Sequence, residues 1–459
     1  MSEQDATLDE FVDSNSEGRD ESTPEEQKSR FWGEVPDGWE LVDGSEVYEV
    51  NPNPKPEETP NTYIEMDALD TVLPWPKYFG ERDASDYSGK TFTKGDTLFA
   101  RITPCTENGK AAIVPEMGTD VGIGSTEYAV LSPDRNRLNQ LYLYYLSKSH
   151  PVHNYAVSRM RGSTGRQRVP FDVFRRELDV ALPPLSEQRI IASVLYNVDQ
   201  AIEKTEKIID RIARLKTGTI EQLTIEGVDH SEFKNIDASP GYLDIEIPSS
   251  WEKVSYSDIS TNVTYGFTSP MPEAESGPWM VTAKDIKDGR IDYSEARKTT
   301  KEAFSETLTS KSRPEPGTVL ITKDGTLGNV AVVERENICI NQSVASISPS
   351  EQRILPEFLA LTLKSPLAKE QIEAYNPQTT IGHIKISELA KWELGLPPLE
   401  EQEEIVSIIE SLRARESAGK EYKKRLQRLK QGLMQDLLSG EVRTTDADIP
   451  VLDAVAQHG

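Results

Sequence analysis

The chain has 459 residues, 36% of them hydrophobic, and a formal net charge of -26. That length suits two to four domains with ample core, and no run of about eighteen apolar residues offers a membrane span. Two cysteines and five dispersed histidines exclude a disulfide framework or a zinc site, so cytoplasmic, cofactor-free folding is expected; the acidity suits a high-salt cytoplasm and argues only weakly against nucleic acid, because a global charge does not describe a local groove.

Residues 1–29 are acidic and lack an apolar segment, which predicts a disordered tail rather than a signal or transit peptide. Residues 30–182 read as a β-rich domain. It opens with "EVPDGWELV" at 34–42, and Asn108-Gly109 in "KGDTLFARITPCTENGKAAIV" at 94–114 is a hairpin-turn signal. The string "LPPLSEQ" comes next at 182–188, its prolines ending a strand and forbidding helix before them. A spacer over 183–228 is helical from about 186 to 226, with Ser186 placed to cap it. Its heptads put Ile191, Val198 and Ile212 in one row, interrupted by Thr205 and Thr219, with Val194, Ala201, Ile208 and Leu215 as companions.

A linker is expected at 229–246. A second β-rich domain then spans 247–396, with strand-like "TVLITK" and "VAVV" around a turn signal at Asp324-Gly325. "LPPLEEQ" at 396–402 opens a second spacer, 397–440, helical over about 399–438. Here Ile405, Leu412, Leu426 and Leu433 form one row, Ile408, Tyr422 and Leu429 the other, and Gly419 and Arg415 interrupt them. Residues 441–459 are a tail. The charge pairs Glu203/Lys207, Asp210/Arg214, Glu416/Lys420 and Glu421/Arg425 read as solvated helix faces.

The two halves repeat. "EVPDGWELV" pairs with "EIPSSWEKV" at 246–254, "LSP" at 131–133 with "ISP" at 347–349, and 162–185 with 378–399, all in the same order. Such ordered matches imply tandem duplication. Two amphipathic helices of about 40 residues bury their stripes most simply against each other, as an antiparallel pair with pseudo-two-fold symmetry. The fold class is therefore α/β (α+β): two β-rich domains and two long antiparallel coiled-coil helices. Trp39 and Trp251 are expected as core anchors rather than base-stacking platforms.

This order of domain, "LPPLSEQ", helix, domain, "LPPLEEQ" and helix ending "LLSGEV" resembles the specificity subunits of Type I restriction-modification systems, over about residues 30–445. The resemblance implies a subunit that reads a split site in double-stranded DNA, one half per target recognition domain. It implies docking of two modification (methyltransferase) subunits and of restriction subunits, with no membrane involved. S-adenosylmethionine would then act on the modification subunits, and ATP and Mg on the restriction subunits. The chain itself is expected to be non-catalytic. "NPNP" at 51–54 and the two LPPL strings do not fit an Asn/Asp-Pro-Pro-aromatic methylation motif, and there is no Gly-rich cofactor loop. A specificity partner of a related methyltransferase-nuclease, or a coiled-coil scaffold holding two protein-binding domains, remains open.

For DNA contact the leading candidate is "SRMRGSTGRQR" at 158–168. It gathers Arg159, Arg161, Arg166 and Arg168, with Gly162 and Gly165 allowing close backbone approach. Arginine suits phosphates and guanine, and Gln167 could read adenine. A solvated basic loop or a methyltransferase contact is the plain alternative. The aligned loop of the second copy keeps only His383 and Lys385, so Lys284, Lys287, Arg290 and Lys323 are the further candidates there.

Overall fold

The computed structural model describes residues 28–29, 31–56, 59–83, 85, 88–238, 243–287, 289–375, 383–445 and 450–452. The expected acidic tail up to residue 27, and residues 446–449 and 453–459 of the expected C-terminal tail, lie outside them. The chain divides into two compact units, Met1–Lys204 with Lys423–Gly459, and Thr205–Tyr422. No described helix is long and apolar enough to cross a membrane.

In the first unit, strand Glu40–Asp43 pairs antiparallel with Asp179–Leu182, Val42 facing Val180. A four-stranded sheet orders Tyr48–Val50, Tyr128–Pro133, Thr97–Ala100 and Ala111–Ile113, and a second orders Gly80–Arg82, Asn61–Ile64, Val121–Gly124 and Lys90–Thr93. Two helices, α1 (Gln140–Lys148) and α2 (His150–Ser158), cover the core. "QLYLYYLSK" has the aromatic content of a strand. It is nevertheless helical, because Asn139 accepts the Tyr142 N–H as an N-cap and the segment is buried on almost every side.

The second unit repeats the plan. Glu252–Ser255 pairs with Glu393–Leu396, and a sheet orders Ser260–Tyr265, Val344–Pro349, Val319–Thr322 and Val330–Val332. The stretch expected as a linker holds an antiparallel pair, Phe233–Ala238 with Leu243–Pro248, as the alternation in "FKNIDA" and "LDIEIP" allows. The turns signalled at Asn108-Gly109 and Asp324-Gly325 lie in longer loops than two-residue hairpins. In the second, the Thr322 hydroxyl accepts from Asn329 N–H and the Thr322 carbonyl from Gly328 N–H, closing a seven-residue excursion.

The long helices are α3 (Leu185–Leu223) and α4 (Leu399–Ser439). α3 begins one residue before Ser186, so that serine sits inside the first turn and does not cap it. The Pro184 carbonyl instead accepts from Gln188 N–H at 3.0 Å, and the Pro398 carbonyl from Gln402 N–H at 3.0 Å.

The residues just after the prolines explain why the LPPL string is written twice. The Gln188 amide donates to the carbonyls of Pro183 and Arg137, both at 2.8 Å, and its oxygen accepts the Asn139 N–H. Gln402 repeats this with Pro397, Arg353 and the Leu355 N–H, each at 2.9 Å. The neighbouring glutamates take the indole N–H groups: Trp39 donates to Glu187 and Trp251 to Glu401, each at 3.0 Å. Both tryptophans are buried, as expected of core anchors. Each glutamate also clasps the segment leaving the other long helix. Arg443 forks onto Glu187, while His230 and the Val228 N–H bind Glu401. Two left-handed glycines form these exits, Gly227 (φ 71°) and Gly440 (φ 75°). A Cβ there would come within 2.7 Å of Trp251 and 2.4 Å of Pro36 respectively.

In each unit the helices pair antiparallel. Asp199 of α3 meets Lys430 of α4 in the first unit; Ile209 lies against Gly419, and Lys216 binds Glu416, in the second. The primary heptad rows are as expected, with Ile191, Ile405, Leu412 and Leu426 buried. The companion rows lie one residue further on: Leu195, Ile202 and Ile209 in α3, and Ile409, Glu416, Lys430 and Leu437 in α4. Spacings of 3–4 and 4–3 both satisfy a heptad, and the structure takes the second. Ile208, Leu215, Tyr422 and Leu429 are consequently exposed. The shift also brings Glu416 into the seam, so its pairing with Lys420 is not that of a solvated face.

Candidate nucleic-acid interface

The arginine-rich stretch forms a tight hairpin. Arg161 and Arg168 exchange both backbone hydrogen bonds at 2.9 Å, and Arg166 N–H donates to the Ser163 carbonyl. Gly162 (φ 133°) is required here, because a Cβ would stand 2.8 Å from the Arg166 carbonyl. The hairpin is pinned at its base: Thr103 N–H donates to the Gln167 carbonyl at 3.0 Å, and Val169 N–H to the Arg101 carbonyl at 2.8 Å.

This geometry separates the four arginines. Arg168 is held by Glu127, with contacts of 2.8 and 2.9 Å, and that carboxylate raises its pKa. Arg159 binds Glu177 at 3.1 Å, with the same consequence. Both are committed to the fold. Arg161 and Arg166 lie at the exposed tip, and their side chains have no partner among the described residues. Gln167 is half-buried beside them.

In the second unit the same base recurs. Asp324 and His383 form a β-bridge, and Ile384 N–H donates to the Lys323 carbonyl at 2.9 Å. The counterpart of the arginine tip falls in residues 376–382, outside the described residues. His383 Nδ1 is hydrogen-bonded to Asp324, and Lys385 is exposed next to it. Lys323 is buried, with its ammonium 2.9 Å from Asp324, so it faces inward rather than presenting charge. Lys284, Lys287 and Arg290 are exposed around the small hairpin Ile286–Lys287 with Arg290–Ile291. Lys287 lies 3.9 Å from Asp292, whose carboxyl is held below its ordinary range first by the Ser294 hydroxyl. The sequence candidates of this unit therefore form two groups, not one continuous patch in the chain.

A further cationic group is not apparent from the sequence. Arg101, Lys90 and Arg175 lie 4.0, 4.8 and 5.5 Å from the centre of the Phe171 ring. They come from three separate segments, so no local run marks them. The available signal was the alignment of Arg101 with Lys323 between the two copies. Burial lowers the Lys90 pKa, and the charges of Arg101 and Arg175 add to this. Among the described residues, no group of three or more His, Cys, Asp and Glu side chains is placed to hold a metal.

The comparisons with known proteins agree with this duplicated plan. The sequence pattern of the Type I restriction modification DNA specificity domain matches twice, over residues 36–214 and 248–428, together more than half of the chain. The Type I restriction enzyme EcoBI specificity subunit of Escherichia coli is 29% identical over 50% of this chain and 50% of its own length, so the match spans half of that relative. The Type I restriction enzyme EcoEI specificity subunit of Escherichia coli is 24% identical over 82% of this chain and 78% of its own. In fold, the chain resembles one solved in a study of complex assembly and conformational transition of the type I R-M system, with a TM-score of 0.61, 20% identity, and coverage of 89% of this chain and 100% of that one. With two matched stretches, each containing the same glutamine- and tryptophan-locked joint, the chain belongs to the family of Type I restriction-modification DNA specificity proteins.

Proposed function

We propose that the chain is the DNA-reading subunit of a Type I restriction-modification complex, that each β-rich domain reads one half of a bipartite double-stranded site, and that it catalyses nothing itself. The observation that carries this reading is the duplicated joint. One lock, built from Trp39, Glu187 and Gln188 and again from Trp251, Glu401 and Gln402, fixes two divergent domains to two paired helices. Divergent readers on similar supports suit two different half-sites. The exposed Arg161 and Arg166 support base or phosphate contact in the first half.

Partners would bind the helices. Ile208 and Leu215 of α3 are 53% and 57% exposed, one heptad apart, and Leu429 of α4 is 51% exposed. Large apolar side chains repeated along an exposed helix suit contact with another protein. Two modification subunits carrying S-adenosylmethionine, and restriction subunits carrying ATP and Mg, would supply the chemistry. Co-expression with the modification subunits in a host lacking adenine methylation, followed by mapping of methylated bases, tests the reading. A split site with a fixed unspecified gap is expected. Methylation without a bipartite site, or an assembly that binds no duplex, would favour a protein-binding scaffold.

A further inference from the structure

Three cations from three segments meet on the Phe171 ring in the first unit, and the acidic chain around them leaves them largely uncompensated. Lys90 belongs to the strand Lys90–Thr93, Arg101 comes after the strand Thr97–Ala100, and Arg175 stands after the arginine hairpin. Arg101 has a carboxylate nearby, Glu127 at 3.9 Å, and its Nε–H donates to the Val169 carbonyl. Lys90 and Arg175 have no acidic partner among the described residues. We propose that Lys90, Arg101 and Arg175, arrayed around Phe171, clamp the phosphate backbone of a DNA strand beside the Arg161–Arg166 tip; this rests on the reading of the chain as a DNA-binding subunit.

The contrast with the neighbouring arginines supports the assignment. Arg159 and Arg168 are fixed by glutamates, which cancel their charge. A ring face also fixes a cation, through its quadrupole, but leaves the charge to be used. The chain carries a net charge of -26, yet three like charges gather on this one ring. Burial, joined by their mutual repulsion, lowers the Lys90 pKa, and an anion between the three relieves that repulsion. A backbone phosphate suits this site better than a stacked base, because Arg101 lies over the Phe171 ring at 4.0 Å and three cations need an anion. The position is also right. The Arg101 carbonyl pins Val169 at the base of the hairpin, so phosphate contacts would set the register from which the tip reaches bases.

The second unit also sets two cations beside a ring, but there Lys323 is buried against Asp324, so Lys311 alone of the pair presents charge. Lys311 and Lys323 lie 5.2 and 5.5 Å from the centre of the Tyr265 ring. Lys323 occupies the place of Arg101, since its carbonyl accepts from Ile384 N–H as that of Arg101 accepts from Val169 N–H. The ring comes from a different strand, so the cations are matched between the copies while their support differs.

The test uses the full-length chain assembled with its modification subunits, and two duplexes, one with the mapped site and one with it scrambled. Affinity is measured between about 50 and 200 mM salt for the wild type, for K90A/R175A, and for the charge-keeping K90R/R175K. Losing two phosphate contacts should lower the slope of log affinity against log salt by about 2 on both duplexes. The ratio between duplexes should stay constant, and K90R/R175K should keep the wild-type slope. Unchanged slopes in K90A/R175A, with site-specific binding intact, overturn the clamp and leave the DNA reading standing. A loss confined to the mapped site overturns it in favour of base contact. Equal losses in both double variants make the role structural and overturn it also. A wild-type assembly that binds neither duplex overturns the clamp together with the DNA reading.

Discussion

Lys430 reaches Asp199 across the paired helices at 2.6 Å, with side-chain exposures of 12% and 0%. The Tyr145 hydroxyl donates to the same carboxylate at 2.8 Å. Burial pushes the Asp199 carboxyl up, and Lys430 and Tyr145 work against that shift. Lys430→Ala should therefore destabilise the first unit, by less than the cost of about 3–5 kcal/mol for a wholly stranded buried charge, because Lys148 still acts on Asp199. The paired replacement Asp199→Leu with Lys430→Met should cost much less. Urea unfolding of the two variants compares them, and equal losses would contradict the argument.

The two joint glutamates are closed by different partners. Arg443 forks onto Glu187 with two charge-assisted bonds, whereas His230 places one ring nitrogen on Glu401. Arg443→Ala should lower stability by about 1.5–3 kcal/mol, and His230→Ala by less. Thermal unfolding of the single variants gives the order.

Glu416 links acid stability to the seam. The hydrogen bond from Lys216, then that from Lys420, holds its carboxyl below the ordinary value of 4.5. Between those two values the unfolded chain binds more protons than the folded one, so stability rises with pH. The contribution is complete above the ordinary value and is lost as pH falls through the folded value. Glu416→Gln should therefore narrow its stability gap from wild type as pH drops below about 4.5. Denaturant midpoints at pH 7 and across the acid range measure this.

At the hairpin tip, Arg161→Ala with Arg166→Ala should weaken DNA binding by the assembled complex. If one of them reads a base, about 1–3 kcal/mol of discrimination should vanish at one position of the first half-site. Arg159→Ala should instead act on folding, through Glu177. Binding and methylation mapping of both variants separate these roles.

If the helix pair measures DNA, its length should convert into base pairs. Four residues inserted in α3 near Ile209, and four in α4 near the facing Gly419, add about 6 Å at 1.5 Å per residue. At about 3.4 Å per base pair the unspecified gap should widen by one or two positions. Both half-sites should keep their sequences, and some activity should be lost to the added rotation. Methylation mapping reads gap and half-sites together.

Much of this architecture was legible because duplication supplies its own control. The LPPL strings, the paired tryptophans and the long helical stripes each occur twice, so a chance match was easily discounted. The choice of companion row was not legible. Ile208 and Ile209 are equally apolar, and only the partner helix decides which one is buried. Glu416 and Lys430 were hidden for the same reason: a charged residue in a seam looks like a solvated one until its cross-helix partner is known. The arginine loop was visible as a cluster, but not which arginines it spends on Glu127 and Glu177. Of the Phe171 group only Arg101 was signalled, by its alignment with Lys323, because the three cations are spread from residue 90 to residue 175.

The exchange of partners at the joints has a topological consequence. Gly227 leads from α3 into the lock around Trp251, and Gly440 leads from α4 into the lock around Trp39. Each lock is thus closed by the segment that leaves the other long helix, so the order of the two repeats along the chain does not decide which lock each segment closes. A circular permutant opened after Val228, with residue 445 joined to residue 31 by a flexible connector, should therefore still close both locks.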